Sequence, residues 1–364
     1  MTTSVSPNNT LRRELYATAL ALLVALAAGS VLILTWGESP ARVYGTLLAE
    51  TWGSAYGIGQ VLFKATPLIF TGLAVALAYR AGLLNVGAEG QMAAGAFVTA
   101  VAGAALPTDT PGVLAVPLAL SAGMGAGALV GALPGWLRAR FGAHEVITTI
   151  MLNFVIAALV MWAGRAGFFV IETTHTAPIV AGAELGSLGL GTSAANLSFV
   201  LALVFVVWAA WFFGRTRTGF EWRVVGASMP AAEASGIRVR RVIILAMALS
   251  GAMAGAVGAN TVLGDKHYFE EGLARGAGFM GIAVALLGQG QPLGVLLAAL
   301  LFGTLAHGGF EVNALVPREL VEVLQAVMIL ALLATSAAVR RAAETAPATP
   351  ATNATTTTNT KQGA

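Results

Sequence analysis

Ten apolar runs, each near the length needed to cross a hydrocarbon layer of about 30 Å as a helix, alternate with short polar breaks along most of the chain. They fall near 14–36, 57–79, 88–106, 113–137, 146–164, 197–213, 241–263, 277–288, 292–310 and 319–338. The pattern predicts an all-α polytopic membrane bundle of about ten transmembrane helices. The eighth run is short and glycine-bounded, which predicts a broken or re-entrant helix. The first is too long for a cleaved leader and has no small-residue cleavage site, so it reads as a retained span. Residues 1–13 then form a cytoplasmic amino terminus, 14–338 the membrane domain, and 339–364 a disordered Thr/Ala/Pro-rich cytoplasmic tail.

Composition removes the soluble alternatives. Of 364 residues, 57% are hydrophobic and 10% charged, where an ordinary soluble domain carries about 25% charged residues. Such a chain lacks the polar shell a water-soluble core needs. It has no cysteine, which excludes disulfides and zinc–thiolate sites. Basic residues prefer cytoplasmic loops. With the amino terminus inside, the inner loops hold Arg80, Arg138, Arg140, Arg215 and Arg238 among others and are net positive, while the outer loops are net negative. This orientation places both termini in the cytoplasm. The high pI, about 9.5, follows from arginines at helix ends, and no basic patch interleaved with aromatics points to nucleic acid.

Small residues recur every fourth position at Gly123, Gly127, Gly131 and Gly135, and again at Gly251, Gly255 and Ala259. In lipid, helices associate closely where small residues let their backbones approach, so these stripes predict tightly packed pairs.

Three segments carry candidate function. In the first, Lys64 to Gln91, Pro67 removes a backbone donor inside the second run and predicts a bend. Asn85, Glu89 and Gln91 follow among glycines at the inner membrane edge. Polar groups there are costly unless they face protein or a water-filled path, although a carboxylate at Glu89 also suits the start of a helix. Lys64 itself extends its stem toward the outer interface. In the second, His144 to Asn153, the residue three after Glu145 is Thr148, so the second histidine of a zinc-protease helix is missing. Thr148, Thr149 and Asn153 form a polar stripe suited to interhelical hydrogen bonds. The third, Arg215 to Arg241, has a centre bracketed by Pro230 and Gly236, which predicts about two turns of alanine-rich helix. A smooth small-residue knob fits a groove on a soluble partner better than it fits a lipid surface.

The runs TGLAVALAYRAGLLNVGAEGQ (71–91), GAHEVITTIMLN (142–153) and VVGASMPAAEASGIRVRRVIILAMALSGAMAGAVGA (224–259) resemble the integral membrane permease subunits of ATP-binding-cassette importers. The superfamily includes ribose, branched-chain amino acid and nucleoside permeases, and the AGLLNVGAEGQ form looks most like the nucleoside and simple-sugar branch. The resemblance implies a subunit of a bacterial plasma-membrane importer that moves such a solute by alternating access. Its implied partners are a cytoplasmic ATPase dimer, which holds the ATP and Mg, a second permease that is often a different chain, and an extracytoplasmic binding protein or lipoprotein. It assigns ATPase coupling to Gly226, Ala227, Ser228, Pro230, Ala231, Ala232, Glu233, Ala234 and Gly236, in the loop 215–240. Family members often carry asparagine followed by proline and an acidic residue where this chain has Ser228-Met-Pro, which alters helix capping. The chain has no G-x-x-x-x-G-K-[ST] loop, so ATP-driven work falls to a separate polypeptide, and no cofactor is expected here. Asn85, Glu89, Gln91, Asn153, Phe154 and Gln289 are the candidate substrate-path residues. An ion-coupled secondary transporter is the alternative. It needs carboxylates at mid-membrane, and these boundaries place Glu89 and Glu145 at inner edges.

Overall fold

The computed structural model describes residues 20, 23–272, 275–317, 319–327, 329–331 and 334; the predicted amino terminus 1–13 and the tail 339–364 lie outside them. The described chain is helical, in the order α1 (Leu23–Thr35), α2 (Pro40–Trp52), α3 (Ala55–Arg80), α4 (Ala88–Ala105), α5 (Gly112–Phe141) and α6 (Glu145–Ala163), then α7 (Ser198–Arg215), α8 (Arg217–Ala227), α9 (Met229–Ala234), α10 (Val239–Gly255), α11 (Ala277–Leu287) and α12 (Pro292–Glu311). Residues 319–327 add a further helical segment. Among the described residues six helices are long and apolar enough to cross a membrane, or seven if the bent pair α1 and α2 is one span.

Helices α3 and α10 are the buried axis, whereas α5, α6 and α7 present much of their surface outward. The closest association is between α5 and α10. The predicted glycine stripes meet there: Gly127 and Gly251 lie backbone to backbone, and a methyl group on either would strike the carbonyl oxygen of the other. The same contact extends through Gly255 to Gly95 of α4. With no side chains between them, three helices converge in one close-packed seam.

Two local features depart from the sequence pattern. Residues 37–56 read as an outer loop, but 40–52 form α2, bent 114° from α1 and packed on α12 through Leu47 and Gly308. Proline at its start and the buried Val43, Leu47 and Thr51 explain the helix, and Arg42 and Glu50 hide it from a hydropathy reading. Helix α3, for its part, continues through Pro67. The proline withholds its donor from the Phe63 carbonyl, four residues back, and Asn260 Nδ2 donates to that oxygen instead at 3.4 Å.

Two helices begin deep within the bundle. Thr71, two-thirds of the way along α3, donates to the Ala277 carbonyl at 2.9 Å, so α11 starts there. It ends beside Arg80, whose Nε donates to Gly290 O at 3.1 Å. With 11 residues it is about 16 Å long, half a crossing, as its glycine boundaries predicted. Before α4, residues 81–87 turn back into the bundle. Asn85 meets Ser250 at 2.7 Å, and Ser250 donates to Ala74 O, about 9 Å in from Arg80 along α3.

At the end remote from Arg80, a segment after α6 lies across the bundle. It pairs with the chain leading to α11 through Ile179 N to His267 O at 2.8 Å and Leu185 N to Leu263 O at 2.7 Å.

Candidate functional site

The arginine-rich end carries α8 and α9. Ser228, extended at φ −162°, accepts from Ala231 N and caps α9, so the Ser-Met-Pro variant keeps a capping residue. Gly236 leaves the helix at φ +79°, a left-handed turn natural to glycine. Gly226, Ala227, Ser228, Pro230, Ala231, Glu233, Ala234 and Gly236 are exposed, whereas Ala232 is fully buried against the body of the protein. Ala232 therefore supports the knob from beneath, and the outward surface is formed by its neighbours. The base of this loop touches the membrane core directly. Gly226 packs on Arg80, Ala81 and Gly82, where any side chain would collide with the Arg80 carbonyl. Those residues open the stretch that leads to Asn85.

Asn85, Gln91 and Asn153 come together as a buried network. Asn85 Nδ2 donates to Gln91 Oε1 at 2.7 Å and to Ser250 Oγ at 2.7 Å. Its Oδ1 accepts from Gly87 N at 2.9 Å. Asn153 Oδ1 accepts from Gly90 N at 2.9 Å, and its Nδ2 donates to Val86 O at 3.0 Å. The network ties α3, α4, α6 and α10 together, and its members are nearly saturated with partners. Phe154 is not part of it: its ring lies 69% exposed on the outer face of α6. Gln289 sits at the far end of α11, in a left-handed turn at φ 53°, also apart from the network.

Glu89 is not at the membrane edge. Its carboxylate accepts from Gly276 N at 2.7 Å and Gly278 N at 2.8 Å, which places it at the level of Thr71, deep in the bundle. Helix α11 has Gly276 at its N-cap and no capping side chain of its own; Glu89 supplies the cap from another helix. The inner-edge position assigned from the sequence is corrected by the turning back of residues 81–87. A deep carboxylate therefore exists, held by two amides and two helix amino ends.

Beyond α11, toward the end remote from Arg80, a cavity of about 500 Å³ opens between α3, α11, α12 and residues 321–325. Its wall carries Lys64, Asp265, Arg275, Glu322 and Gln325, with apolar surface from Pro67, Met280 and Phe310. Lys64 Nζ stands 5.7 Å from the centre of the Phe310 ring. Neither Lys64 nor Asp265 is within ion-pairing distance of an oppositely charged described residue, and Asp265 makes no hydrogen bond to one. A smaller cavity of about 120 Å³ lies beside Glu89 and Asn153 and shares Thr261 and Arg275 with the larger one. The amino end of α11 stands between them. Sequence reasoning noted Lys64 and missed the cavity, since its charged residues come from segments some 200 positions apart. A charge inside an apolar run was the available signal.

Long apolar helices around a cavity lined by both charged and apolar side chains, with a small-residue knob at one end, mark a multi-pass membrane protein. The chain belongs to the family described as branched-chain amino acid transport system / permease component, whose profile matches residues 57–333. It is 37% identical to the guanosine ABC transporter permease protein NupP of Bacillus subtilis (strain 168), over 85% of this chain and 90% of that one. It is 34% identical to the nucleoside ABC transporter permease protein NupB of Lactococcus lactis subsp. cremoris (strain MG1363), over 88% and 91%. The glucose ABC transporter permease protein TsgB13 of Haloferax volcanii is 36% identical over 85% of each chain.

Proposed function

We propose that this chain is the membrane permease of an ABC importer for a nucleoside or simple sugar, and that a separate ATPase drives it by gripping the exposed surface around Ala231. The observation that carries the reading is the chain of contact from the knob inward. Gly226 rests on Arg80 to Gly82, the next residues run to Asn85 and Glu89, and Glu89 holds the amino end of α11 beside the larger cavity. Displacement of the knob moves the wall of the cavity. Alternation between two arrangements then follows from the differential affinity of the ATPase pair for each, since a ligand shifts an equilibrium only by such a difference.

In this reading the arginine-rich end faces the cytoplasm, both termini are cytoplasmic, and α4 and the helix after residue 319 join the long helices as passes, with α11 a half-span. Lipid and a second permease, a different chain, cover the apolar outer face of α6, where Ile147, Met151, Phe154 and Leu159 are exposed. An extracytoplasmic binding protein delivers the solute to the opposite end. ATP and Mg belong to the ATPase. The test is uptake by proteoliposomes that hold the complete complex. Labelled guanosine or glucose should accumulate only when ATP and Mg reach the ATPase. Accumulation driven by a proton or sodium gradient without nucleotide would establish the ion-coupled alternative.

A further inference from the structure

Charges at this depth are costly in lipid and persist where they face water, protein or a passing solute. In the larger cavity Lys64 and Asp265 face open space without pairing to each other. The neighbouring Asn260 and Thr261, in contrast, are already committed. Asn260 donates to Phe63 O and accepts from Ser198 Oγ at 3.0 Å, and the Thr261 hydroxyl donates to Val257 O. The groups left to meet a ligand are the Lys64 ammonium, the carboxylates of Asp265 and Glu322 and the Gln325 amide, while Arg275 lies 3.7 Å from Glu271. Two basic and two acidic residues line the space, so an electrically neutral solute suits it and a phosphorylated one does not. The volume, about 500 Å³, lies in the ordinary range for small-molecule sites.

We propose that Asp265 and Lys64 form the edge of a solute-binding site that reads a pair of adjacent hydroxyl groups on a neutral ring, with Phe310 and Met280 against the ring's apolar face. An ionised carboxylate offers two acceptor oxygens and takes two hydroxyl donors side by side, while the ammonium donates to the lone pairs the same hydroxyls retain. Ribose in a nucleoside and a free hexose share this diol. The proposal rests on the reading of the chain as a nucleoside or sugar permease and adds where, and by which groups, the solute is held. Its site lies apart from the Asn85 network.

The chain has three lysines, Lys64, Lys266 and Lys361, which makes affinity labelling selective. The purified complex in nanodiscs, without binding protein, is treated with the 2′,3′-dialdehyde of guanosine and cyanoborohydride, and modified lysines are located by mass spectrometry. Lys64 should be labelled. Guanosine and glucose, tested separately to distinguish the two diol sources, should protect it, whereas 2′,3′-dideoxyguanosine and leucine should not. Asp265→Asn, which keeps the side-chain shape, should raise the guanosine concentration needed for protection by at least about tenfold and leave labelling of the exposed Lys266 unchanged. If Asp265→Asn does not assemble, the comparison of guanosine with its dideoxy analogue on the wild-type complex decides alone. Equal protection by the two, protection by leucine, or an unlabelled Lys64 overturns the proposal. Failure of ATP-driven uptake of both guanosine and glucose by the complete complex would instead overturn the permease reading beneath it, so the two failures are separable.

Discussion

Removing the Glu89 carboxylate should loosen the amino end of α11 in a graded, local way. In the wild type the carboxylate accepts from Gly276 N and Gly278 N at 2.7 and 2.8 Å, and the helix has no other side-chain cap. Glu89→Ala leaves both amides without that partner. An orphaned buried donor costs about 1–3 kcal/mol, and because Glu89 is half-buried the lower part of that range applies to each. Loss of the charge from the positive end of the helix adds about 1 kcal/mol, for a total of about 3–4 kcal/mol. Glu89→Gln keeps one acceptor oxygen, so one of the two amides retains a neutral hydrogen bond while the other faces an NH2 group and loses its partner, for a loss of about 2 kcal/mol. Hydrogen–deuterium exchange of the segment 276–280 reads these values directly. Protection should fall at least about a hundredfold in the alanine variant and about thirtyfold in the glutamine variant, with α5 and α10 little changed. Protection equal to wild type in Glu89→Ala would refute the argument that this carboxylate holds α11. So would equal losses in both variants.

Asn85→Ala leaves the Gln91 amide and Gly87 N without a buried partner and Ser250 with only its bond to Ala74 O; a loss of about 2–4 kcal/mol should appear as a lowered midpoint in thermal unfolding of the detergent-purified protein. Gly251→Val drives a side chain into the Gly127 carbonyl and should cost about 3 kcal/mol, seen as reduced membrane yield, whereas Gly125→Val on the open face of α5 should be tolerated. Ala232→Arg should reduce folded protein in the membrane because Ala232 is buried, while Ala231→Arg should insert normally and abolish ATP-driven uptake.

The long spans were legible because length and apolarity together admit few alternatives: 57–79 and 113–137 reappear within α3 and α5. The helix α9 was legible for the same kind of reason, since Pro230 fixes φ near its start and Gly236 readily takes the left-handed turn that ends it. The inward turn of Ala232 was not, because every residue around it is small and no periodicity marks a face. The depth of Glu89 was hidden by the chain reversal at 81–87, which a linear reading takes as a surface loop. That correction bears on mechanism: the ion-coupled alternative was set aside in part because no acid lay at a span centre. What now weighs against it is membership of a permease family whose relatives include ABC transporter permeases, together with the engagement of both Glu89 oxygens by backbone amides. Helix α2 was missed because its buried positions are interrupted by Arg42 and Glu50. The larger cavity is tertiary in origin, and only Lys64, a charge within an apolar run, announced it.

The central claim, that a separate motor works this permease through its small-residue knob, is tested most directly by cross-linking. The chain has no native cysteine, so single cysteines at Ala231, Ala234 and Ala232 report cleanly in the assembled transporter. Cysteines at the exposed Ala231 and Ala234 should cross-link to the ATPase with a yield that changes on ATP binding, and the buried Ala232 position should not react. Maleimide at Ala231→Cys should then stop solute uptake. Full uptake after complete modification at that position would contradict the account.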